Sequence, residues 1–119
     1  MKRLFLAALP FLLLFAGPAR ARGCDNAQSQ NEMNQCAEDD SARADAALNA
    51  AYRKAMEGLS PEARDLLRDA QRDWIAYRDV ECAYEVSGNE GGSIVPFIQF
   101  GCLARMSKAR TEELGLTKE

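Results

Sequence analysis

Three segments with helical periodicity, separated by two short breaks, constrain the fold of this 119-residue chain more than any other feature. The first segment opens with Ser29-Gln30-Asn31-Glu32, which matches a capping box and predicts a helix that begins at Ser29. Its apolar stripe is rich in alanine, so a partner helix can approach closely. The stripe consists of Met33, Ala37, Ala44, Leu48, Ala51, Tyr52, Ala55 and Leu59.

The first break, residues 58–61, ends one helix and begins the next. Gly58 suits a helix end, Ser60 can cap, and Pro61 is tolerated at the first helical position. The second helix is therefore predicted over residues 61–86. Its predicted core stripe consists of Ala63, Leu66, Leu67, Ala70, Trp74, Tyr77 and Tyr84.

The second break, residues 87–93, reads SGNEGGS and predicts a loop. A third helix is expected to follow, with Ser93 as its cap. Its apolar positions are Ile94, Val95, Ile98, Cys102, Met106 and Ala109. No segment alternates as a strand does, and short connections make neighbouring helices antiparallel. The predicted fold is all-α, a small antiparallel three-helix bundle, with room for a short extra helix.

The first 21 residues are predicted to be a signal peptide. Lys2 and Arg3 precede an apolar run over residues 4–16, and residues 19–21 offer a small-x-small cleavage site. The run is shorter than the roughly 20 residues of a membrane span. We therefore expect an exported chain, periplasmic or secreted, with one domain over residues 22–119 and no transmembrane segment. Lipidation at Cys24 is disfavoured, because Arg22 interrupts the residues before it.

Four cysteines in an exported chain predict two disulfides, each contributing roughly 3 kcal/mol in the loop-entropy model. They are Cys24, Cys36, Cys82 and Cys102. Antiparallel helices bring them to the end of the bundle that carries the 87–93 loop. Three pairings are possible, and we prefer Cys24–Cys36 with Cys82–Cys102, which closes the shortest loops. A zinc site is disfavoured because there is no C-x-x-C pair.

The charge of the chain points to cationic partners. Cleavage after residue 21 would remove three basic residues and no acidic residue, leaving 12 basic against 18 acidic residues and a formal charge of −6. Nucleic acid is excluded as an expected partner, since no basic patch is present. A cationic protein fits this charge, because opposite fields raise encounter rates. The alternative is that the charge only keeps an exported protein soluble.

The sequence predicts neither an enzyme nor a cofactor or metal site. There is no histidine to act as a base at neutral pH, and all four cysteines are assigned to disulfides. Ser29, Ser60 and Ser93 fall at helix starts. Eighteen acids distributed along solvated helix faces are not by themselves a catalytic pair.

The stretch AQRDWIAYRDVEC, residues 70–82, concentrates charged and aromatic residues. Arg78 lies one helical turn after Trp74, where its guanidinium can stack on the indole. Arg72 and Asp79 fall together on the outer side, as either a solvated or a partner-binding pair. Asp69 is spaced to pair with Arg72. Most of the stretch is accordingly expected to pack the bundle rather than to react.

These motifs resemble the LprI-type lysozyme-inhibitor domain, a family of small exported bacterial helical domains. The resemblance covers Cys24 to about Leu114. It lies in residues 32–37, Ala44-Asp45, Leu48-Asn49, Tyr52, Ala70-Gln71-Arg72, Trp74, Tyr77-Arg78-Asp79, Cys82, Gly91-Gly92-Ser93, Cys102 and Arg110. It implies a cell-envelope protein that inhibits lysozyme and protects peptidoglycan. The chain lacks the lipobox of the lipoprotein that gave the family its name, so membrane anchoring is not implied.

The 87–93 loop is the candidate partner-binding segment. Small residues fit a narrow enzyme cleft, and Ser87, Asn89, Glu90 and Ser93 are its polar members. We expect these residues, with Arg72 and Asp79, to contact the partner, whether a lysozyme or another cationic protein. The loop is equally explained as a simple connector between helices. A periplasmic interaction or structural module without lysozyme activity is the alternative function.

Overall fold

The computed structural model describes residues 24–116, which form a short 3-10 helix and three α-helices. The 3-10 helix covers Cys24–Asn26, α1 covers Gln30–Met56, α2 covers Pro61–Val86, and α3 covers Val95–Leu116. This part of the chain contains no strand. The all-α fold with a short extra helix is confirmed. The predicted signal peptide, residues 1–21, lies outside the described residues.

Serine caps set the starts of α1 and α2, as predicted. The Glu32 amide donates to Ser29 Oγ at 3.1 Å, and the Ala63 amide donates to Ser60 Oγ at 3.2 Å. Each bond satisfies one of the amides that the first helical turn leaves unpaired. The carboxylate of Glu32 accepts from the Gln28 amide at 2.8 Å, one residue ahead of the cap.

The start of α3 differs from the prediction. The helix begins at Val95, so the residue before it is Ile94, and Ser93 is not the cap. A turn explains the shift, because the Val95 amide donates to the Gly92 carbonyl at 3.2 Å. The Ser93 carbonyl instead accepts from Asn34 Nδ2 at 2.9 Å and ties the loop to α1.

The helices run up, down and up, with α3 packed most closely against α1. The alanine stripe of α1 permits this approach, since Ala37, Ala44 and Ala55 are all buried. A hydrophobic cluster fills the half of the bundle nearest residues 58–61. It joins Leu48, Ala55 and Leu114 with the half-buried Ala51, Tyr52, Leu67 and Trp74. This end is held by packing and by hydrogen bonds that include one from Arg64 Nε to the Met56 carbonyl at 3.2 Å.

The predicted core stripe of α2 is wrong at four positions. Exposed instead of buried are Leu66, Ala70, Tyr77 and Tyr84. Successive helical residues point in directions that differ by about 100°. At Gln71 and Arg78, the inward face is displaced by one residue from the predicted stripe, which contained Ala70 and Tyr77. It consists of Ala63, Leu67, Gln71, Trp74, Arg78 and Cys82. Two polar side chains thus occupy interior positions that a hydrophobicity pattern assigns to the surface.

Arg78 connects all three helices. Its guanidinium lies 2.9 Å from the Asp79 carboxylate, 3.7 Å from that of Asp45 on α1 and 3.5 Å from the Ser107 hydroxyl on α3. It also lies 5.5 Å from the centroid of the Trp74 ring, which confirms the predicted stacking. The positive charge of the Arg78 guanidinium is therefore paired where its side chain enters the bundle.

Gln71 forms a second polar connection between helices. Its side chain is buried, and Arg110 Nε on α3 donates to its Oε1 at 3.0 Å. Every buried side-chain nitrogen and oxygen in residues 24–116 has a hydrogen-bond partner. The interior polar groups therefore avoid the cost of about 1–3 kcal/mol that an unpaired buried group carries.

Both disulfides have the preferred pairing. Cys24 is bonded to Cys36, and Cys82 to Cys102, each with Cα atoms 5.6 Å apart. The second bond joins α2 to α3 across the loop, and its cysteines are 1% and 0% exposed. The first bond ties the 3-10 helix to α1. All four cysteines thus lie at the loop end of the bundle.

The two disulfides are predicted to contribute unequally to global stability. Replacing Cys82 and Cys102 with alanine should lower the free energy of unfolding by about 3 kcal/mol, because the bond joins two core helices across a 20-residue separation. Urea denaturation followed by Trp74 fluorescence measures the change.

The matched control replaces Cys24 and Cys36 with alanine. We expect a loss below about 1 kcal/mol, since the short N-terminal segment can fray without unfolding the three helices. Equal losses in the two double variants would contradict this division.

Arg78 is predicted to stabilise the bundle far more than Arg72, which is exposed and forms no ion pair within the described chain. Arg78→Ala should cost roughly 2 kcal/mol, because it removes the contacts of α2 with Asp45 on α1 and with the buried Ser107 hydroxyl on α3. Arg72→Ala should change the stability by less than about 0.5 kcal/mol. Thermal and urea unfolding of the two variants make the comparison, and similar losses would refute it.

Candidate partner-binding surface

The 87–93 loop is exposed throughout and has a defined conformation. Gly88 and Gly91 have φ values of 92° and 76°, which favour glycine. The Asn89 amide donates to the Val86 carbonyl at 3.1 Å, and the Gly92 amide donates to the Asn89 carbonyl at 2.9 Å. The segment is therefore a pair of hydrogen-bonded turns.

Contacts at both ends fix the loop to the bundle. The Ser87 hydroxyl donates to the Tyr84 carbonyl at 2.6 Å at the end of α2. At the other end, the side chain of Asn34 donates a hydrogen bond to the Ser93 carbonyl. Asn34 lies in α1, two residues before Cys36. With the Cys82–Cys102 bond joining the flanking helices, the loop projects from a cross-linked base.

Glu90 places a carboxylate on the surface of this loop. Both of its oxygens lie 3.0 Å from the Gly88 amide, which donates to them. The bond from the Gly88 amide, with a smaller contribution from the backbone of Glu90 itself, lowers the pKa of the carboxyl below its ordinary value. The loop consequently presents a negative charge in a fixed position.

The other predicted loop residues differ in how free their side chains are. The Ser87 hydroxyl already donates to a carbonyl and is not available to a partner through that hydrogen. Asn89 and Ser93 are exposed, and their side chains form no hydrogen bond with residues 24–116. Of the predicted donors, these two are therefore the ones open to a partner.

Arg72 and Asp79 are both exposed on the outer side of α2, as predicted, seven residues apart. Asp79 accepts from the neighbouring Arg78, at 3.0 Å from Nε and 2.9 Å from Nη2. Asp69 lies 3.9 Å from Arg68 rather than beside Arg72. Both Arg72 and Asp79 are exposed, but as separate charges on α2.

Sequence reasoning missed an exposed apolar surface on α2. Its large side chains are Leu66, Tyr77, Val80 and Tyr84. Most were assigned to the core because they share a helical stripe. The sequence contains a signal against burial. Asp73 lies on the same stripe, one helical turn before Tyr77, and its carboxylate favours an exposed position.

The described residues hold no arrangement suited to metal binding and no helix long and apolar enough to cross a membrane. A surface groove runs along α3 and is lined by three carboxylates, Asp40, Glu85 and Glu112. Two of them pair with a cation on α3: Lys108 Nζ lies 2.9 Å from Asp40, and Arg105 pairs with Glu85. These two ion pairs join α3 to α1 and to α2.

Comparison with known proteins agrees with the resemblance read from the sequence. The chain is 40% identical over 126 residues to "Uncharacterized protein R02472" of Rhizobium meliloti (strain 1021), covering 90% of this chain and 89% of the relative. No solved structure matches. The family described as "Lysozyme inhibitor LprI" matches residues 23–114. The cysteine framework, the three helices and this match together show that the chain belongs to the LprI lysozyme-inhibitor family.

Proposed function

We propose that this protein is an exported inhibitor that binds a cationic lysozyme through the 87–93 loop and the acidic, disulfide-pinned surface around it. The observation that carries the proposal is the fixed Glu90 carboxylate at the cross-linked end of the bundle. A rigid projection loses little conformational entropy on binding, which favours affinity. Family membership supplies the class of partner.

Export is supported by the disulfides and by the predicted signal peptide. Disulfides form and persist in oxidising compartments such as the periplasm or the extracellular space. All four cysteines are paired. The Cys24 thiol, which a lipid anchor would need, is bonded to Cys36.

Electrostatic attraction supports a cationic enzyme as the partner. The charge of −6 expected after cleavage of residues 1–21 attracts a positively charged protein and raises the association rate. Attraction between exposed charges weakens with ionic strength, because the Debye length falls to about 8 Å at physiological salt. Within the interface, Asn89 and Ser93 can donate hydrogen bonds to carboxylates of an enzyme cleft.

A second candidate function is an envelope interaction module without lysozyme activity. The exposed aromatic and aliphatic side chains of α2 favour it, since they lie on a helix face rather than on the loop. Surfaces of this kind mark protein interaction sites. The two candidates differ in whether the loop is needed and whether lysozyme is inhibited.

The loop is predicted to be required for inhibition. Replacing residues 89–92 with a neutral glycine-serine linker of equal length should weaken lysozyme inhibition by about tenfold or more, because the Glu90 charge and the free Asn89 amide donor are lost. A turbidity assay with cell-wall substrate measures inhibition, and circular dichroism verifies the fold. Glu57→Gln, which removes one charge at the opposite end of the bundle, serves as the control and should inhibit like the wild type.

Undiminished inhibition by the linker variant would remove the loop from the binding surface. If the intact protein inhibits none of several lysozyme types, the interaction-module function replaces the inhibitor function. Adding reductant to the intact protein tests the cross-linked base, and inhibition should fall as the disulfides open.

Glu90 is predicted to stay ionised at a lower pH than an ordinary glutamate. The Gly88 amide stabilises the charged form in the folded loop, so its stabilising contribution is complete above the unfolded pKa and is lost as the pH falls through the lower folded pKa. A carboxyl NMR titration of Glu90 should give a midpoint below the ordinary value for glutamate. A midpoint at or above that value would show that the hydrogen bond does not persist in solution.

A further inference from the structure

One face of α2 combines large exposed apolar side chains with carboxylates. We define the α2 outer face as the exposed residues of α2 within about 80° of Tyr77 at 100° per residue. Its large apolar members are Leu66, Tyr77, Val80 and Tyr84. Its charged members are Glu62, Asp69 and Asp73. Tyr77 is 58% exposed and the other three apolar side chains are each 72% exposed, so nothing in the described bundle covers them.

The charge on this face is of one sign. The four arginines of α2, which are Arg64, Arg68, Arg72 and Arg78, all lie outside the 80° sector. Glu62 and Asp73 form no ion pair with any described residue, and the nearest cation to Asp69 is Arg68 at 3.9 Å. The face therefore exposes aromatic surface among carboxylates that are left largely unneutralised.

The charge distribution decides which kind of partner fits. A second copy of the chain would bring the same carboxylates against one another, which costs free energy between like charges. A basic protein surface removes this cost and supplies complementary groups. Arginine side chains can pair with Asp69 and Asp73, and their planar guanidinium groups can stack on the rings of Tyr77 and Tyr84.

The dimensions suit a contact with a folded surface or a helix. Tyr77 and Tyr84 are seven residues apart, which is about 10 Å along the helix, and Leu66 extends the stripe by three further turns. Tyrosine is enriched at interface centres because it combines apolar area with a polar end. Exposed apolar side chains that form a continuous stripe are characteristic of binding surfaces.

We propose that the α2 outer face is a docking surface for a cationic protein whose contact region presents arginine side chains among apolar residues. A cationic lysozyme is one such partner, so the inference extends the proposed function without depending on inhibition. The 87–93 loop follows α2 directly, and a partner docked on this face lies beside it.

Calorimetric titration at low ionic strength tests the proposal with two probes. One is a cationic c-type lysozyme, and the other is a synthetic peptide of alternating arginine and leucine without enzymatic activity. The first variant combines Tyr77→Ser with Tyr84→Ser, and the second combines Asp69→Asn with Asp73→Asn. The matched control combines Glu57→Gln with Glu112→Gln, which removes the same two negative charges as the aspartate variant. Both positions are exposed: Glu57 directly follows α1, and Glu112 lies on α3.

We expect each α2 variant to lose about tenfold or more in affinity, while the control stays within about threefold of the wild type. All four altered α2 side chains are exposed, so the fold should be unchanged by circular dichroism. Equal affinities for wild type and the α2 variants overturn the proposal, as does failure of the wild type to bind either probe. The proposal is also overturned if the wild type dimerises and the tyrosine variant does not, because the partner of the face would then be a second copy of the chain.

The results separate this proposal from the inhibitor function. Lysozyme inhibition that both α2 variants retain in full would leave the inhibitor function in place and remove the docking surface. Peptide binding that the α2 variants lose, without inhibition of any lysozyme, would establish the docking surface and reject the inhibitor function.

Discussion

The disulfide between Cys82 and Cys102 is the constraint on which the arrangement of this small domain depends. It lies in the interior, joins α2 to α3, and closes the loop between them into a covalent ring. The hydrophobic cluster occupies the other half of the bundle, around Leu48 and Leu114. Cross-linking at one end and apolar packing at the other therefore share the task of holding three helices that have few large buried side chains.

The polar contacts of Arg78 and Gln71 determine which face of α2 turns inward. Each reaches α3, and Arg78 also reaches Asp45 on α1. Burying these side chains with partners rotates the aromatic stripe of α2 toward the surface. The same contacts that complete the interior thus create the exposed face on which Tyr77 and Tyr84 lie.

Local signals made much of the fold predictable. Ser29, Ser60 and Pro61 set helix starts through short-range hydrogen bonds, and loop length favoured the cysteine pairing that the structure shows. The face of α2 was not predictable from apolar periodicity, because its burial depends on long-range partners such as Arg110 for Gln71. The role of the 87–93 loop in binding stays a prediction.

The Cys24–Cys36 bond also fixes where the amino end of the described chain meets the bundle. Cys24 is tied beside the start of α1, next to the segment that Asn34 anchors, whereas Leu116 ends α3 at the far side near residues 58–61. An affinity tag or fusion partner at the amino end would therefore crowd the loop. One attached at the carboxyl end would leave the loop accessible for immobilisation on a sensor surface.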